Sequence, residues 1–188
     1  TDGANPNAYN SLTVEQGNLQ ADTPSIANGV NSTVATADAG TFTLDISDSN
    51  TDVVAGDLTW GTGLITGSGT LSVDDFGDGN TLVVNSKLTE PGVALGLESN
   101  ATVDVDTAQT FGGLSGSSTN ATLDVNGAGV TLQQEDDTTY LGGFSGANTI
   151  TKQGSGNLIL DQAVAAALNA NQIDVTAGGF GVDTTSGD

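Results

Sequence analysis

The chain of 188 residues has no cysteine, no histidine and no arginine, and its basic residues are Lys87 and Lys152 alone. Without cysteine it cannot form a disulfide scaffold or use a thiol nucleophile. Without histidine as well, it lacks the usual ligands for zinc or iron. Aromatic residues make up only 4% of the sequence. Any core must therefore be narrow and built from small aliphatic side chains.

The charge balance is strongly acidic. The sequence carries 23 acidic residues against 2 basic ones, a net charge of −21. Nucleic acid and anionic membranes both require a basic surface, so neither is expected as a partner. Divalent cations are natural partners of such a chain. No apolar run approaches the roughly 18 residues of a membrane-spanning helix, so we expect no membrane insertion of this segment.

Short apolar segments alternate with turn residues along most of the chain. In residues 41–47, Phe42, Leu44 and Ile46 alternate with polar residues, which indicates a half-buried strand. Residues 101–106 and 121–126 alternate in the same way. We predict an all-β domain over residues 11–182, preceded by a polar arm at 1–10 and followed by a polar tail at 183–188. The alanine-rich residues 162–168 could form a helical turn.

A glycine-rich block occurs more than once. Residues 112–116 read Gly-Gly-Leu-Ser-Gly, and residues 142–146, 30 positions later, read Gly-Gly-Phe-Ser-Gly. A looser copy lies at residues 60–67. Internal repeats at such spacings are typical of solenoids, propellers or arrays. The alternation would also suit an antiparallel β-sandwich, but the repeat favours a parallel β-helix.

Residues 150–160 read Ile-Thr-Lys-Gln-Gly-Ser-Gly-Asn-Leu-Ile-Leu, and a Gly-Gly-Phe follows at 178–180. This segment, about the last quarter of the chain, resembles the autotransporter-associated β-strand repeat of bacterial passenger domains. It departs from that family at residues 162–168, where the family usually has a polar turn. The resemblance implies a right-handed parallel β-helix exported to the surface of a Gram-negative cell. It implies no catalytic residue.

One acidic loop is a candidate calcium site. Asp74, Asp78 and Asn80 lie around a glycine-rich turn, where alternate oxygen ligands could converge. The twelve-residue calcium loop is not completed, because its twelfth position is Asn85 instead of glutamate. The alternative is a solvated turn. A second acidic cluster at residues 135–137 is expected to be a solvated loop in preference to a metal site.

No catalytic set is predicted, so we expect no enzyme activity. Serine nucleophiles have no histidine partner, and among 23 acids some carboxylate pair will always look suitable. Lys152 lies near Asn148, Asn157 and Asp161 in the sequence, which raises the possibility of an isopeptide bond. The favoured alternative is an exposed lysine.

Three aromatic residues, Trp60, Phe111 and Tyr140, precede the glycine blocks. They could be platforms for sugar stacking, but stacks inside or along a solenoid are the commoner use.

The sequence therefore predicts a non-enzymatic structural or adhesive protein, located extracellularly or on a bacterial cell surface. The alternative is a self-assembling subunit of an extracellular filament or lattice that joins its copies by strand addition. Expected partners are other copies of the chain or cell-surface and glycan ligands, and calcium is the one cofactor considered.

Overall fold

The computed structural model describes residues 11–14, 18–22, 33–36, 41–45, 58–59, 64–75, 81–84, 87–161 and 172–183. These residues contain no helix and form β-strands joined by turns. The prediction of an all-β chain is confirmed. The predicted arm at 1–10 and the alanine-rich residues 162–168 lie outside the described residues. The predicted tail begins at Asp183, which is the last residue of a strand, and the rest of it is also outside them.

Twenty strands follow one another along the described chain. They are β1 Ser11–Val14, β2 Asn18–Asp22, β3 Thr33–Thr36, β4 Thr41–Asp45, β5 Leu58–Thr59, β6 Leu64–Gly67, β7 Thr70–Asp75, β8 Thr81–Val84, β9 Ala94–Ser99, β10 Thr102–Val105, β11 Gln109–Phe111, β12 Leu114–Ser115, β13 Thr122–Asp124, β14 Val130–Gln133, β15 Thr138–Tyr140, β16 Gly143–Ser145, β17 Thr149–Gln153, β18 Asn157–Asp161, β19 Gln172–Val175 and β20 Gly179–Asp183.

Every pairing between these strands is parallel. Two paired parallel strands need a connection that returns the chain to the end at which the first strand began. Here each such connection includes strands that belong to other sheets. The parallel β-helix prediction is confirmed, and the antiparallel β-sandwich is wrong. The fold is a β-solenoid.

The solenoid has three faces. Face 1 consists of β1-β3-β6 and β11-β14-β17-β19, with Thr89 bridging to Ile65 between the two runs. Face 2 consists of β2-β4-β7-β9-β12 and β15-β18-β20, joined by a bridge between Gly116 and Tyr140. Face 3 is β5-β8-β10-β13-β16. From β3 to β18 the chain visits faces 1, 2 and 3 repeatedly in that order, with three short strands to a coil, except that between β8 and β9 face 1 has only the bridging residue Thr89.

The length of a coil differs from the 30-residue offset between the glycine blocks. Val130 pairs with Ile150, 20 residues later, and Leu123 pairs with Phe144, 21 residues later. An offset of 30 is therefore about one and a half coils. Leu64, Leu114 and Phe144, which occupy the same place in the three copies, belong to β6, β12 and β16, on faces 1, 2 and 3 respectively. The block repeats a corner followed by a strand and does not repeat a whole coil.

The core is formed by alternate residues of each strand. Burial alternates along β7, β8, β10 and β17, with every second side chain inside. Because the strands pair in register, like positions stack along the rod. Fully buried examples are Leu82, Val103 and Leu123 on face 3, and Leu71 and Leu95 on face 2. Each such burial contributes about 1.5–3 kcal/mol, so the stacked aliphatic side chains hold the coils together.

Candidate functional site

The first candidate is the predicted calcium loop, of which Asp74 alone is described. Asp78 and Asn80 lie outside the described residues, so their convergence with Asp74 stays a prediction. Asp74 is the fifth residue of β7 and is half-buried. Its Oδ1 atom is buried and accepts no hydrogen bond from the described residues. Asp74 lies at the carboxyl end of β7, directly before the predicted loop in the sequence.

Asp74 belongs to a row of acidic residues along face 2. In register, Asp22 pairs with Asp45, Asp45 with Asp74, and Asp74 with Glu98. Neighbouring strands lie about 4.8 Å apart, and like charges placed opposite each other are destabilising. Within the described ranges, no three His, Cys, Asp or Glu residues are arranged to hold a metal ion. The described part of this row is therefore a strip of negative potential and not a formed metal site.

At its end, this row makes contact with the next coil. The Glu98 carboxylate accepts hydrogen bonds from the hydroxyl of Ser117, at 2.5 Å, and from its backbone N–H, at 3.3 Å. Ser117 lies 19 residues further along the chain, at the corner after β12. The side chain of Glu98 therefore fastens one corner to the next.

The second acidic cluster, at residues 135–137, fastens a corner in the same way. Glu135 accepts hydrogen bonds from the hydroxyl of Ser155, at 2.8 Å, and from its backbone N–H, at 3.3 Å. Asp137 accepts two bonds of 2.8 Å from Asn157, one from the backbone and one from the side-chain amide. The hydrogen bonds from Ser155 lower the pKa of Glu135. The carboxylates are exposed to solvent, as predicted, but two of them also brace the following coil.

Lys152 has an unexpected position. It lies in β17, where alternate residues are buried, and its side chain is fully buried in the core. Its register neighbours are Leu132 on one side and Val175 on the other. An exposed lysine was predicted, and this prediction is wrong, because the alternation of β17 turns the side chain inward with Ile150.

The ammonium group of Lys152 lies at a corner of the solenoid. Its Nζ donates to four backbone carbonyls, those of Gln153 at 2.6 Å, Gly154 at 3.2 Å, Ala177 at 3.4 Å and Gln134 at 3.5 Å. These carbonyls belong to three successive coils. Burial lowers the pKa of Lys152, and the nearby carboxylates of Glu135 and Asp137 partly oppose this effect. The lysine thus links the corners of neighbouring coils.

The isopeptide hypothesis receives no support from this geometry. The side-chain amide of Asn148 donates to the carbonyls of Val125 and Asn126. That of Asn157 donates to Asp137. The contacts of Lys152 Nζ are with backbone oxygens, which cannot form an amide with it.

Two of the three aromatic residues are internal. Phe111 and Tyr140 are completely buried, so neither can stack on a sugar, and the prediction of aromatic residues inside the solenoid is confirmed for them. The hydroxyl of Tyr140 donates to the Gly143 carbonyl at 2.9 Å, and its ring centre lies 5.1 Å from that of Phe144. Trp60 lies outside the described residues.

Sequence reasoning missed two buried glutamines. The Oε1 atom of Gln109 accepts from the Leu88 N–H at 2.9 Å, and its Nε2 donates to the Thr107 carbonyl at 2.8 Å. Nε2 of Gln134 donates to the Asn157 carbonyl at 2.6 Å. Both side chains satisfy backbone groups at corners. The available signal was their position in phase with the apolar residues, since Gln109 pairs in register with Val130.

The chain is a parallel β-solenoid. The described polar side chains discussed above mostly form hydrogen bonds at the corners between its own coils. No protein-family model, curated protein or solved structure matches the chain. The likeness to autotransporter passenger repeats therefore rests on residues 150–160 and 178–180 alone. Within the described residues there is no helix long and apolar enough to cross a membrane.

Proposed function

We propose that the chain is a non-enzymatic structural rod of the cell exterior, and that it makes contacts, including adhesive ones, through its outer surface. The observation that carries the proposal is the solid core. All three faces turn aliphatic side chains into one interior, as at Leu71, Leu82 and Leu132, which are fully buried. An interior filled in this way leaves the corners and outward strand positions for recognition.

The surface charge narrows the choice of partner. Of the two lysines, Lys152 is fully buried, and Lys87 forms an ion pair of 3.3 Å with Glu90. The chain has no arginine to compensate for its 23 acidic residues. An anionic partner would be repelled. Neutral glycans, cationic surfaces and further copies of the chain are the partners that this surface favours, with calcium as a possible bridge.

The extracellular location is supported by composition and by the passenger-like segment. The chain has no cysteine to protect from oxidation, and its negative charge favours solubility as an isolated rod. The segment at 150–160 resembles the repeat of exported passenger domains, whose pattern also has a lysine at the place of Lys152. We place the protein outside the cell or on a bacterial surface.

A bead-adhesion assay tests the adhesive role. Beads carrying the chain, and control beads carrying the heat-denatured chain, are passed over neutral polysaccharide, sulfated polysaccharide and cultured cell layers, with calcium or with chelator. We expect retention on neutral glycan or on cells and none on the sulfated surface. Retention no better than that of control beads on every surface would contradict adhesion. Release of soluble oligosaccharide from either polysaccharide would contradict the absence of enzyme activity.

The second candidate function is a self-assembling filament subunit. One observation favours it: among the residues whose side-chain burial is described, Val175 and Val182 are the exposed large hydrophobic ones, at 44% and 41%, and they lie on the last described strands of faces 1 and 2. Aliphatic side chains at an open strand edge are a template for another strand.

A further inference from the structure

One corner of the solenoid contains an asparagine followed by a glycine, Asn126-Gly127. This corner connects β13 on face 3 with β14 on face 1, and both residues are exposed to solvent. Glycine suits such a turn, because it adopts backbone conformations that other residues avoid. It also leaves its own backbone nitrogen unshielded, next along the chain to the side-chain amide of the asparagine. The dipeptide therefore holds a nucleophile and an electrophile that can close a small ring.

Hydrogen bonds engage the backbone of Asn126 and leave the reacting groups available. The Asn126 N–H donates to Oδ1 of Asp124 at 2.9 Å, and the Asn126 carbonyl accepts from Nδ2 of Asn148 at 2.8 Å. Among the residues that the structure describes, neither the side-chain amide of Asn126 nor the N–H of Gly127 has a hydrogen-bond partner. Within this part of the chain, no hydrogen bond has to break before the Gly127 nitrogen approaches the side chain of Asn126.

The hydrogen bond from Asn148 favours the reaction. The carbonyl of Asn126 and the N–H of Gly127 belong to the same peptide unit, so a negative charge on that nitrogen is shared with the carbonyl oxygen. A donor held at this oxygen stabilises the charge, as donors do in an oxyanion hole. The Asn148 amide is itself held in place, because Nδ2 also donates to the Val125 carbonyl at 2.9 Å. Asn148 is therefore a positioning residue that makes the Gly127 nitrogen easier to deprotonate.

Packing between coils requires glycine at position 127. A Cβ atom added there would lie 2.6 Å from the Cα atom of Asp106 and 3.0 Å from the Val105 carbonyl oxygen. The next residue, Ala128, fixes the same contact, because its N–H donates to the Val105 carbonyl at 2.8 Å. Backbone atoms of the preceding coil cannot rotate away from a side chain. The fold therefore keeps the reactive dipeptide at this corner.

The other asparagines with described side chains lack this combination. Each is followed by a residue that has a side chain, which shields the backbone nitrogen; they are Asn100, Asn120, Asn148 and Asn157. The N–H that follows Asn100 is also engaged, since Ala101 donates to the Glu98 carbonyl at 3.1 Å. The side-chain amide of Asn157 donates to Asp137. These residues serve as slow-reacting references within the same chain.

We propose that Asn126 is a site of spontaneous covalent modification, at which the side-chain amide becomes a carboxylate through a cyclic imide formed with Gly127. The inference does not depend on the proposed extracellular role. It assigns to this corner a reaction that needs water and no enzyme.

The reaction has two steps. The deprotonated Gly127 nitrogen attacks Cγ of Asn126, a bond forms between these two atoms, and the bond from Cγ to Nδ2 breaks. Ammonia leaves, carrying the proton that Gly127 lost. Water then opens the ring at one of its two carbonyl carbons. Opening at Cγ restores the normal backbone with an aspartate side chain, whereas opening at the main-chain carbonyl leaves an isoaspartyl linkage, in which the backbone runs through Cβ and Cγ.

The two products differ in how they fit the corner. The backbone of Gly146 in the following coil lies directly against this segment, because a Cβ atom added at Gly146 would lie 2.5 Å from the carbonyl carbon of Val125 and 2.8 Å from Cα of Asn126. An isoaspartyl linkage adds one atom to the main chain and displaces the carbonyl that Asn148 binds. Such a change is costly between close-packed coils. The aspartate product keeps the backbone and adds one negative charge near Asp124.

Mass spectrometry of the aged protein tests the site. The full-length chain is incubated at neutral pH in heavy-oxygen water and digested with pepsin, whose acidic conditions suppress further reaction. We expect the peptide containing Asn126 to lose ammonia and gain labelled oxygen several-fold faster than peptides containing Asn120 or Asn157. Asn126→Gln, in which ring closure is less favourable, should remain unmodified at this position. The second Asn-Gly pair, at residues 28–29, is outside the described residues and is followed as a separate peptide. Conversion of Asn126 no faster than that of Asn120 would overturn the proposal.

Asn148→Ala tests the role of the positioning residue. If Asn148 stabilises the developing charge, the folded variant should convert Asn126 several-fold more slowly than the wild type. In concentrated urea the two chains should react equally fast, because the contact is then absent. A purely structural role would give the opposite sign, since a loosened corner would let the ring close more readily. An equal or faster rate in the folded variant would overturn this role.

Urea unfolding tests the consequence for the coils. Both samples carry Asn28→Gln, so that Asn126-Gly127 is the remaining Asn-Gly pair. The aged protein with one added charge is isolated by anion exchange, and its isoaspartyl content is measured by electron-transfer fragmentation. We expect its unfolding midpoint to fall as the isoaspartyl content rises, while Asn126→Asp stays close to the unaged protein. Equal midpoints for the isoaspartyl-rich protein and Asn126→Asp would overturn the argument that this corner fits the normal backbone alone.

Discussion

The two glycines of each glycine pair are not equivalent, and this difference gives a sharp test of coil packing. A Cβ atom added at Gly112 would lie 2.5 Å from the Gly92 carbonyl oxygen and 2.8 Å from its carbon. One added at Gly113 would meet nothing closer than 3.6 Å, at the side chain of Gln134. Backbone atoms cannot rotate away, so Gly112→Ala forces two coils apart and Gly113→Ala does not.

The size of the effect follows from the hydrogen bonds between these coils. Relieving the contact to 3.0 Å needs a displacement of about 0.5 Å, which is costly in a close-packed interior. The Gly112 N–H bonds to the Val93 carbonyl at 2.7 Å, and the Leu95 N–H to the Gly113 carbonyl at 2.9 Å. If the strand moved as a unit, the second bond would leave the usual range of about 2.7–3.2 Å. We expect Gly112→Ala to lose about 1–3 kcal/mol, as overpacked cores do.

Gly113→Ala should be neutral or stabilising by about 0.4–1 kcal/mol, because alanine reduces the entropy of the unfolded chain. Equilibrium urea unfolding followed by circular dichroism measures both variants. The second pair gives a related test: at Gly142 an added Cβ would lie 2.5 Å from the Tyr140 hydroxyl oxygen and 2.7 Å from the Ala121 carbonyl oxygen, whereas at Gly143 the nearest atom is 3.8 Å away. Equal stabilities of the two members of a pair would refute the packing argument.

Three further substitutions address single interactions. Lys152→Met retains the buried stem and should change the free energy of unfolding by less than about 1.5 kcal/mol at neutral pH. Because burial lowers the pKa of Lys152, the free energy of unfolding of the wild type should rise with pH just below 10.5. This rise should be absent in the variant. Tyr140→Phe removes the bond to Gly143 and should cost about 0.5–1.5 kcal/mol; because burial raises the pKa of Tyr140, it should also abolish a loss of stability above pH 10. Asp74→Asn relieves repulsion from Glu98 and should stabilise the chain by up to about 1 kcal/mol at low salt, with less effect at high salt. Urea unfolding across pH and salt measures all three, and parallel pH curves for wild type, Lys152→Met and Tyr140→Phe would contradict the assignment of these two groups.

Lys152→Met is expected to be tolerated because the carbonyl partners of Lys152 keep other hydrogen bonds. The Gln134 carbonyl also accepts from the Gly156 N–H at 3.0 Å, and the Gln153 carbonyl from the Gln134 N–H at 3.0 Å. Ala177 is exposed at the corner, where water can replace the ammonium group. Lys152→Ala, in contrast, leaves a void in the core and should cost about 2–5 kcal/mol.

Alternation predicted the inward residues well, because a strand places every second side chain on one side whatever its partner. Val103, Val105, Leu123 and Val125 were all in predicted strands and are all fully buried. The same rule did not give the coil length. The length of a coil is set by which strands pair in register. The glycine block occurs at corners of all three faces, so the distance between two copies in the sequence is one coil plus part of the next.

The sequence pattern could place the inward polar residues in phase with the apolar ones, but it could not identify their hydrogen-bond partners. Lys152 and Gln109 occupy core positions because backbone groups at the corners satisfy them, whereas Gln134 has a partner for its Nε2 and none among the described residues for its buried Oε1. Burial of a polar group is costly without such partners, and the partners come from coils about 20 residues away. A single sequence shows the residue but not the register that brings its partner within reach.

The acidic residues serve two different purposes, and separating them matters for any test that neutralises them. Glu98, Glu135 and Asp137 each accept hydrogen bonds from a Ser or Asn 19 or 20 residues later, which is one coil further along the rod. Removing these charges would loosen corners as well as change the surface potential. The face 2 row of Asp22, Asp45 and Asp74 instead places like charges opposite each other on neighbouring coils. Salt that screens this row should therefore stabilise the coils that it joins, whereas neutralising Glu98, Glu135 or Asp137 removes hydrogen bonds together with the charge.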